Sequence, residues 1–135
     1  MWPWRPKPGQ SSSLIGPSGE RLACKALKRA GMKILARNYR CPSGEIDIIA
    51  FEPAAQANFN RDTVVFVEVK TRTSDRYTDP ESAVNSDKRR RIRNAAACYI
   101  SSHQHAELSW RYDIVSIVLA VGKKPVVNHI VQAFV

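Results

Sequence analysis

Three charged residues with the potential for chemistry lie inside two apolar, β-branched segments of the chain. Asp47 lies in segment 44–50, and Glu68 and Lys70 lie in segment 65–72. Successive side chains of a strand point to opposite faces, so Glu68 and Lys70 share one face, about 7 Å apart. A carboxylate in apolar surroundings is costly unless a cation compensates its charge. The two carboxylates and the amine therefore predict a hard-cation site suited to cutting a phosphodiester.

The net charge of the chain is +9, and it is distributed unevenly. Residues 1–40 hold nine basic side chains and one acidic one, residues 41–87 hold four and nine, and residues 88–135 hold eight and two. The acidic centre coincides with the two apolar segments. This pattern indicates a cation site framed by phosphate-binding surfaces, and it predicts nucleic-acid binding. Unevenly scattered surface charge is the alternative interpretation.

The composition restricts the class of protein. A chain of 135 residues with 44% hydrophobic side chains is most simply one soluble domain. The cysteines Cys24, Cys41 and Cys98 lack C-x-x-C spacing and predict reduced, mostly buried thiols rather than a disulfide framework or a zinc site. The sequence shows no apolar run of signal-peptide length or of the ~20 residues of a membrane span, so we expect a cytoplasmic protein.

Capping and turn residues predict the boundaries of the elements that position these side chains. Ser18 and Ser86 are expected to cap two helices, Gly31 to end the first helix, and Cys41 to begin a type I turn between two strands. The expected order is a flexible basic arm at 1–17, a helix at 18–30, strands at 32–40, 45–51 and 63–72, a helix at 87–102, and strands at 110–120 and 126–134.

The order helix, three strands, helix, two strands predicts an α/β fold. A hairpin followed by a strand–helix–strand crossover gives a mixed sheet with helices packed on its faces. The valines of segment 65–72 should lie beneath a helix. Asp47, Glu68 and Lys70 should converge on one side of the sheet, close enough for the carboxylates to share one ion.

Several short motifs within residues 18–135 resemble those of the bacterial YraN-type family of uncharacterised proteins. The motifs are Gly19-Glu20, Arg37-Asn38-Tyr39-Arg40, Gly44-Glu45-Ile46-Asp47, Val67-Glu68-Val69-Lys70-Thr71-Arg72, Lys88 with Ala95-Ala96, Arg111-Tyr112-Asp113, His129-Ile130 and Ala133-Phe134. That family is similar in turn to archaeal Holliday-junction resolvases and to restriction-endonuclease-like nucleases with the motif PD-(D/E)-x-K. The resemblance implies a restriction-endonuclease-like mixed sheet in residues 18–135.

The resemblance also implies roles for individual residues. Asp47 and Glu68 would bind Mg²⁺ or Mn²⁺ together with the carbonyl oxygen of Val69, and Glu20 on the first helix could complete the metal shell. Lys70 would hold the attacking water or stabilise the transition state. Ile46 stands where the motif has proline. The alternatives are a solvated Glu68–Lys70 salt bridge and, for Glu20, ordinary compensation of the helix dipole.

A cluster of basic residues at the start of the second predicted helix is expected to contact phosphates. Positive charge there is unfavourable for the helix dipole, and a phosphate partner would relieve that cost. A solvated surface that pairs with Asp79, Glu81 and Asp87 is the alternative. The candidate nucleic-acid-binding residues are Arg72, Lys88, Arg89, Arg90, Arg91 and Arg93.

These observations together predict a metal-dependent endonuclease that acts on DNA, in branched or single-stranded form. A homodimer is implied only by analogy with the resolvases. A non-catalytic nucleic-acid-binding module that has kept the fold is the main alternative. An adaptor whose basic surface binds an acidic protein or ribosomal RNA is a third.

Overall fold

The computed structural model describes residues 15–55, 61–73, 84–103, 108–120 and 122–135. In chain order, these residues form α1 (Ile15–Arg29), β1 (Lys33–Cys41), β2 (Gly44–Glu52), β3 (Thr63–Arg72), α2 (Ser86–His103), β4 (Ser109–Val118) and β5 (Val126–Phe134). The order and type of the elements are those expected from the sequence. Most of the predicted N-terminal arm, residues 1–14, lies outside the described residues.

The five strands form one mixed sheet in the order β1-β2-β3-β4-β5. Strands β1, β2 and β3 pair antiparallel, β3 and β4 pair parallel, and β5 pairs antiparallel with β4. Helix α2 connects the two parallel strands, because parallel neighbours need a crossover connection. The predicted α/β class and the mixed sheet are confirmed. Among the described residues, we find no helix that is both long and apolar enough to cross a bilayer.

Each face of the sheet is covered by one helix. On the α1 face, Leu27 of the helix packs with Val65 and Val67 of β3, and Val69 lies at the edge of this cluster. On the α2 face, the alternate residues of the same strand, Val64 and Phe66, pack against a cluster that includes Ile92, Ala95, Ala96 and Tyr99. The period-2 prediction that the odd-numbered valines lie beneath a helix is therefore confirmed.

The end of α1 agrees with the sequence prediction, but its start does not. Gly31 has a φ of 92°, its N–H donates to the carbonyl of Lys28, and the N–H of Met32 donates to the carbonyl of Leu27. These are the two bonds of a Schellman C-cap. The prediction that Ser18 caps the helix is wrong, because α1 begins at Ile15. Pro17 does not prevent this earlier start, since a first-turn residue has no intrahelical N–H bond to lose.

The start of α2 also differs from the prediction by one residue. The side-chain oxygen Oδ1 of Asn85 accepts a hydrogen bond from the N–H of Lys88 at 2.9 Å, three residues along the chain. Asn85 is therefore the N-cap, and the prediction that Ser86 caps the helix is wrong. Asparagine and serine are both good caps, so the capping preferences of residues 85 and 86 differ little and the backbone path decides between them.

The pairing of β2 with its neighbours changes at Asp47. Towards β1 the ladder continues to Cys41 and Gly44, but towards β3 it begins only at Ile48, which lies opposite Val67. Ile46 packs on the α2 face and Ile48 on the α1 face, so the strict alternation of faces is broken between them. Asp47 thus lies where β2 separates from β3.

Candidate active site

The Asp47 carboxylate lies in the opening between β2 and β3. Its Oδ2 atom accepts a hydrogen bond from the backbone N–H of Val69 at 2.9 Å, and the residue is only 4% exposed. The contact links the two segments that the sequence singled out, 22 residues apart in the chain. A buried carboxylate is therefore held next to Glu68 and Lys70 by the backbone of β3.

The Glu68 carboxylate is contacted by a lysine from the other side of the crossover. Glu68 is 3% exposed, and its Oε1 lies 2.5 Å from Nζ of Lys88 in the first turn of α2. A charge-assisted contact of this kind compensates the cost of burying the carboxylate. Lys88 was predicted to contact phosphate, and the structure places it at the candidate metal ligand.

The Lys70 ammonium is half-buried and lies within the electrostatic field of both carboxylates. Burial and the nearby positive charges of Lys88 and Arg72 lower the pKa of Lys70, while Glu68 and Asp47 act in the opposite direction. The net direction is downward, which makes the neutral amine more accessible than that of an ordinary lysine. The structure therefore brings Asp47, Glu68, Lys70 and Lys88 into one neighbourhood.

The candidate ligand Glu20 is engaged by residues of β1. Its Oε2 accepts a hydrogen bond from Nδ2 of Asn38 at 3.2 Å and lies 3.8 Å from Nη2 of Arg37. Its neighbour Gly19 packs so closely on β3 that an added Cβ would lie 2.0 Å from Oγ1 of Thr71. The start of α1 is thus pressed against the strand that carries Lys70. A role for Glu20 as a ligand stays a prediction.

The donors at this site suit a hard cation in chemical type. Two carboxylates, Asp47 and Glu68, and the backbone carbonyl of Val69 are oxygen ligands of the kind that Mg²⁺ and Mn²⁺ prefer. Across the described ranges, no group of three or more His, Cys, Asp or Glu side chains is placed to hold a metal ion. An ion bound here would need water or substrate oxygens to complete its coordination, as Mg²⁺ sites usually do.

The arginines of the basic cluster have contacts within the protein. Arg89 donates from Nε to the carbonyl of Val84 at 2.9 Å, and its guanidinium lies 5.4 Å from the ring centroid of Phe134. Arg93 donates to the carbonyl of Val135 at 3.1 Å. These two side chains anchor α2 to its surroundings.

The exposed pair Arg90 and Arg91 shares one acidic partner. Their nitrogens lie 2.5 and 3.5 Å from the two carboxylate oxygens of Asp87. This is the pairing that the alternative interpretation anticipated, although Asp79 and Glu81 lie outside the described residues. Exposed pairs of this kind contribute little stability and exchange readily with other anions. Arg72 lies beside Lys70, close enough to lower its pKa.

A buried charge network on β2, β4 and β5 was not anticipated from the sequence. Arg111 donates to both carboxylate oxygens of Glu52, at 2.5 and 3.1 Å, and to both oxygens of Asp113, at 2.9 and 3.1 Å. Nε2 of His129 lies 2.7 Å from Oδ2 of Asp113, and the N–H of Gln132 donates to its Oδ1 at 3.0 Å. The available signal was a pair of opposite charges two residues apart in an apolar strand.

The network explains how these charges are tolerated inside the protein. Burial alone would lower the pKa of Arg111 and raise that of Asp113. The hydrogen bonds that Arg111 donates to Glu52 and Asp113 raise the Arg111 pKa instead, and the hydrogen bonds with His129 and Arg111 keep the Asp113 pKa below its usual value. Both groups are therefore ionised at neutral pH. With Asp113 fully buried, the network ties β5 to the sheet.

Comparison with known proteins places the chain in a bacterial family. Residues 19–117 match the sequence model of the uncharacterised protein family UPF0102. The chain is similar to UPF0102 proteins of Geobacter metallireducens, 42% identical over 89% of this chain and 91% of the relative, and of Alkaliphilus oremlandii, 43% identical over 89% and 97%. A UPF0102 protein of Mycolicibacterium gilvum is 40% identical over 86% and 89%. The YraN-type resemblance is confirmed: this chain belongs to the UPF0102 family.

Proposed function

We propose that the protein is a metal-dependent endonuclease that hydrolyses phosphodiester bonds in DNA, with Asp47, Glu68 and Lys70 as its catalytic residues. The observation that carries the proposal is the position of Lys70, whose amine lies in the field of two almost fully buried carboxylates. The separation of β2 from β3 at Asp47 supports the finer description of the sheet as restriction-endonuclease-like.

Asp47, Glu68 and the carbonyl of Val69 would hold the metal ion. A bound Mg²⁺ or Mn²⁺ would supply Lewis acidity, neutralising charge on the phosphate and acidifying a coordinated water. Lys70 would orient the attacking water and stabilise the negative charge of the transition state. Burial lowers the pKa of Lys70, which weakens its hold on its own proton relative to an exposed lysine.

The DNA backbone would approach this site along the basic side chains nearby. Arg90 and Arg91 are exposed and pair with the exposed carboxylate of Asp87, so phosphates can compete for them. Arg72 lies next to Lys70 and would contact a phosphate close to the scissile bond. Arg89 and Arg93 would act mainly by fixing α2. Branched or single-stranded DNA is the preferred substrate in this proposal.

A non-catalytic nucleic-acid-binding module is the second candidate. The specific observation in its favour is the contact between Lys88 and Glu68, because an ammonium bound to Glu68 competes with a metal ion for the same oxygen. In this case the acidic residues would serve the fold, and the basic surface would carry the function.

The test is a cleavage assay on branched, single-stranded and duplex DNA, with Mg²⁺, with Mn²⁺ or with EDTA. We expect the wild-type chain to cut at least one of these substrates with a metal ion and none with EDTA. The Asp47→Asn and Glu68→Gln variants, prepared identically, should be inactive, which excludes a contaminating nuclease. DNA binding without cleavage under every condition would overturn the enzymatic proposal in favour of the binding module.

A further inference from the structure

Two cysteines that are 57 residues apart in the sequence meet where the β1–β2 hairpin packs on α2. Cys41 ends β1, and Cys98 lies in the fourth turn of α2. The two elements are in close contact here, because a Cβ added to Gly44 would lie 1.9 Å from the carbonyl oxygen of Arg91. The rings of Tyr39 and Tyr99 also pack edge to face, with centroids 5.4 Å apart.

The two thiols interact with each other and remain accessible. Cys41 and Cys98 lie close enough for each thiol to shift the pKa of the other, and Sγ of Cys41 lies 3.4 Å from Oγ of Ser43. Both cysteines are half-exposed, which departs from the expectation of mostly buried thiols. Cys98 lines an open groove together with Tyr39, Ala97, Ser101 and Ser102. A small reagent in solution can therefore reach the pair.

The third cysteine cannot compete for this partnership. Cys24 is buried in the cluster beneath α1, whereas Cys41 packs at the edge of the cluster beneath α2. The sheet separates the two faces. The structure therefore defines one possible intramolecular pair rather than the three that three cysteines would allow.

The surroundings give the two thiols different chemical characters. Burial alone would raise the pKa of Cys41, but hydrogen bonds from Ser43, Cys98 and the backbone of Ser43 and Gly44 lower it. The hydrogen bond to Cys41 raises the pKa of Cys98. The thiolate is the nucleophilic form of cysteine, so these pKa directions favour Cys41 as the first thiol to react.

We propose that Cys41 and Cys98 form a reversible redox-modification site whose reactant is a low-molecular-weight disulfide. The Cys41 thiolate attacks one sulfur of the small disulfide, a mixed disulfide forms, and one small thiolate leaves with a proton from solvent. The Cys98 thiolate then attacks Sγ of Cys41, the intramolecular disulfide forms, and the second small thiol is released. Two protein thiols are oxidised and one small disulfide is reduced to two thiols.

The product would join the end of the β1–β2 hairpin covalently to α2. Both elements contribute to the candidate active site, since β2 carries Asp47 and the first turn of α2 carries Lys88. The inference does not depend on the proposed nuclease activity, because the chemistry of the thiol pair is measured directly.

The experiment exposes the full chain, under native conditions, to oxidised glutathione and follows it by intact-mass and peptide-mapping mass spectrometry. We expect a final product about 2 Da lighter than the reduced protein, with a peptide that joins Cys41 to Cys98, and full reversal by dithiothreitol. The Cys24→Ser variant should behave in the same way. The Cys98→Ser variant should stop at a glutathione adduct on Cys41. The Cys41→Ser variant should react with glutathione disulfide at least about tenfold more slowly than wild type.

Three outcomes would overturn the proposal. These are a wild-type chain that keeps three free thiols in excess reagent, a linkage that involves Cys24, and an adduct that accumulates on Cys98 while Cys41 stays reduced. Circular dichroism of each serine variant, compared with wild type, identifies a variant that has lost its fold. The comparison of wild type with Cys24→Ser remains decisive in that case, because both retain the thiol pair.

Discussion

The ammonium of Lys88 lies 2.5 Å from Oε1 of Glu68, and this contact joins the first turn of α2 to the buried side of β3. The Glu68 side chain is 2% exposed and that of Lys88 is 31% exposed, so the pair is shielded on the carboxylate side and open on the amine side. Lys88 is therefore both the charge partner of Glu68 and a competitor of any cation that binds there.

Replacing Lys88 should lower the stability of the metal-free protein and raise its affinity for metal ions. We expect Lys88→Met to destabilise the metal-free protein by about 2 kcal/mol, because Glu68 loses its partner while the partial exposure of Lys88 limits the cost. The variant should then show a larger rise in Tm on addition of Mn²⁺ than wild type, since Glu68 is available to the ion. Thermal unfolding with and without Mn²⁺ measures both effects. An equal Mn²⁺ response in wild type, Lys88→Met and the control Lys123→Met would contradict this.

Two substitutions at Asp47 should separate its structural and metal-binding roles. Asp47→Asn keeps an oxygen that can accept the hydrogen bond from the Val69 N–H, so we expect little loss of stability. Asp47→Ala removes that acceptor and should cost about 1–3 kcal/mol. Both should abolish the Mn²⁺-dependent rise in Tm, because a neutral amide and a methyl group are poor replacements for a carboxylate ligand. Urea denaturation and Mn²⁺ titration measure the two roles, and a Mn²⁺ response that survives in Asp47→Asn would remove Asp47 from the ligand set.

Lys70→Ala should affect the reaction and leave the metal bound. We expect cleavage to fall by roughly 10²-fold or more, as for other preorganised stabilising groups, with an unchanged Mn²⁺-dependent rise in Tm. Lys123→Ala, which removes an exposed lysine far along the chain, is the matched control. Single-turnover cleavage on the best DNA substrate is the measurement. Cleavage equal to that of the control would exclude a catalytic role for Lys70.

The acidic partner of the exposed arginines should regulate binding to DNA. Arg90→Ala combined with Arg91→Ala should weaken binding to all sequences alike and flatten the salt dependence by about one unit per lost phosphate contact. Asp87→Asn should strengthen binding, because it frees both guanidinium groups from their carboxylate. Fluorescence anisotropy with labelled DNA at several salt concentrations gives the slopes. If none of these changes alters affinity at low salt, the pair belongs to the solvated surface.

The buried network should make stability depend on pH through Asp113. The pKa of Asp113 is lowered in the folded protein, whereas in the unfolded chain this carboxyl group titrates at about 3.9. Between these two pKa values the unfolded state binds more protons than the folded state. The contribution of Asp113 to stability is therefore complete above the unfolded pKa and is lost as the pH falls through the folded pKa. We expect Asp113→Asn to be less stable at pH 7, by roughly 3 kcal/mol, and to lose less stability than wild type on acidification.

Urea denaturation at several pH values between 7 and 3 checks this prediction, with the exposed Asp87→Asn as the control. A wild-type pH dependence that is unchanged in Asp113→Asn would assign the acid sensitivity to other carboxylates.

Much of the fold could be predicted because its signals are local. Alternating β-branched residues define β2 and β3, Gly31 ends α1, and Pro42 and Ser43 fill the two-residue connection of the first hairpin. Two helix starts were misplaced, since Ser18 and Ser86 are good caps that the backbone did not use. Capping is a weak preference, of about 1 kcal/mol, which the path of the chain can override.

The sequence by itself determined which strands carry Asp47, Glu68 and Lys70. It also determined that Glu68 and Lys70 share one face of their strand, because a strand alternates its side chains regardless of its neighbours. Only the tertiary structure decided the partners of these residues. The break in pairing at Asp47, the approach of Lys88 to Glu68, the Arg111 network and the meeting of Cys41 with Cys98 each join residues distant in sequence. Such contacts depend on sheet register and helix packing, which no local pattern encodes.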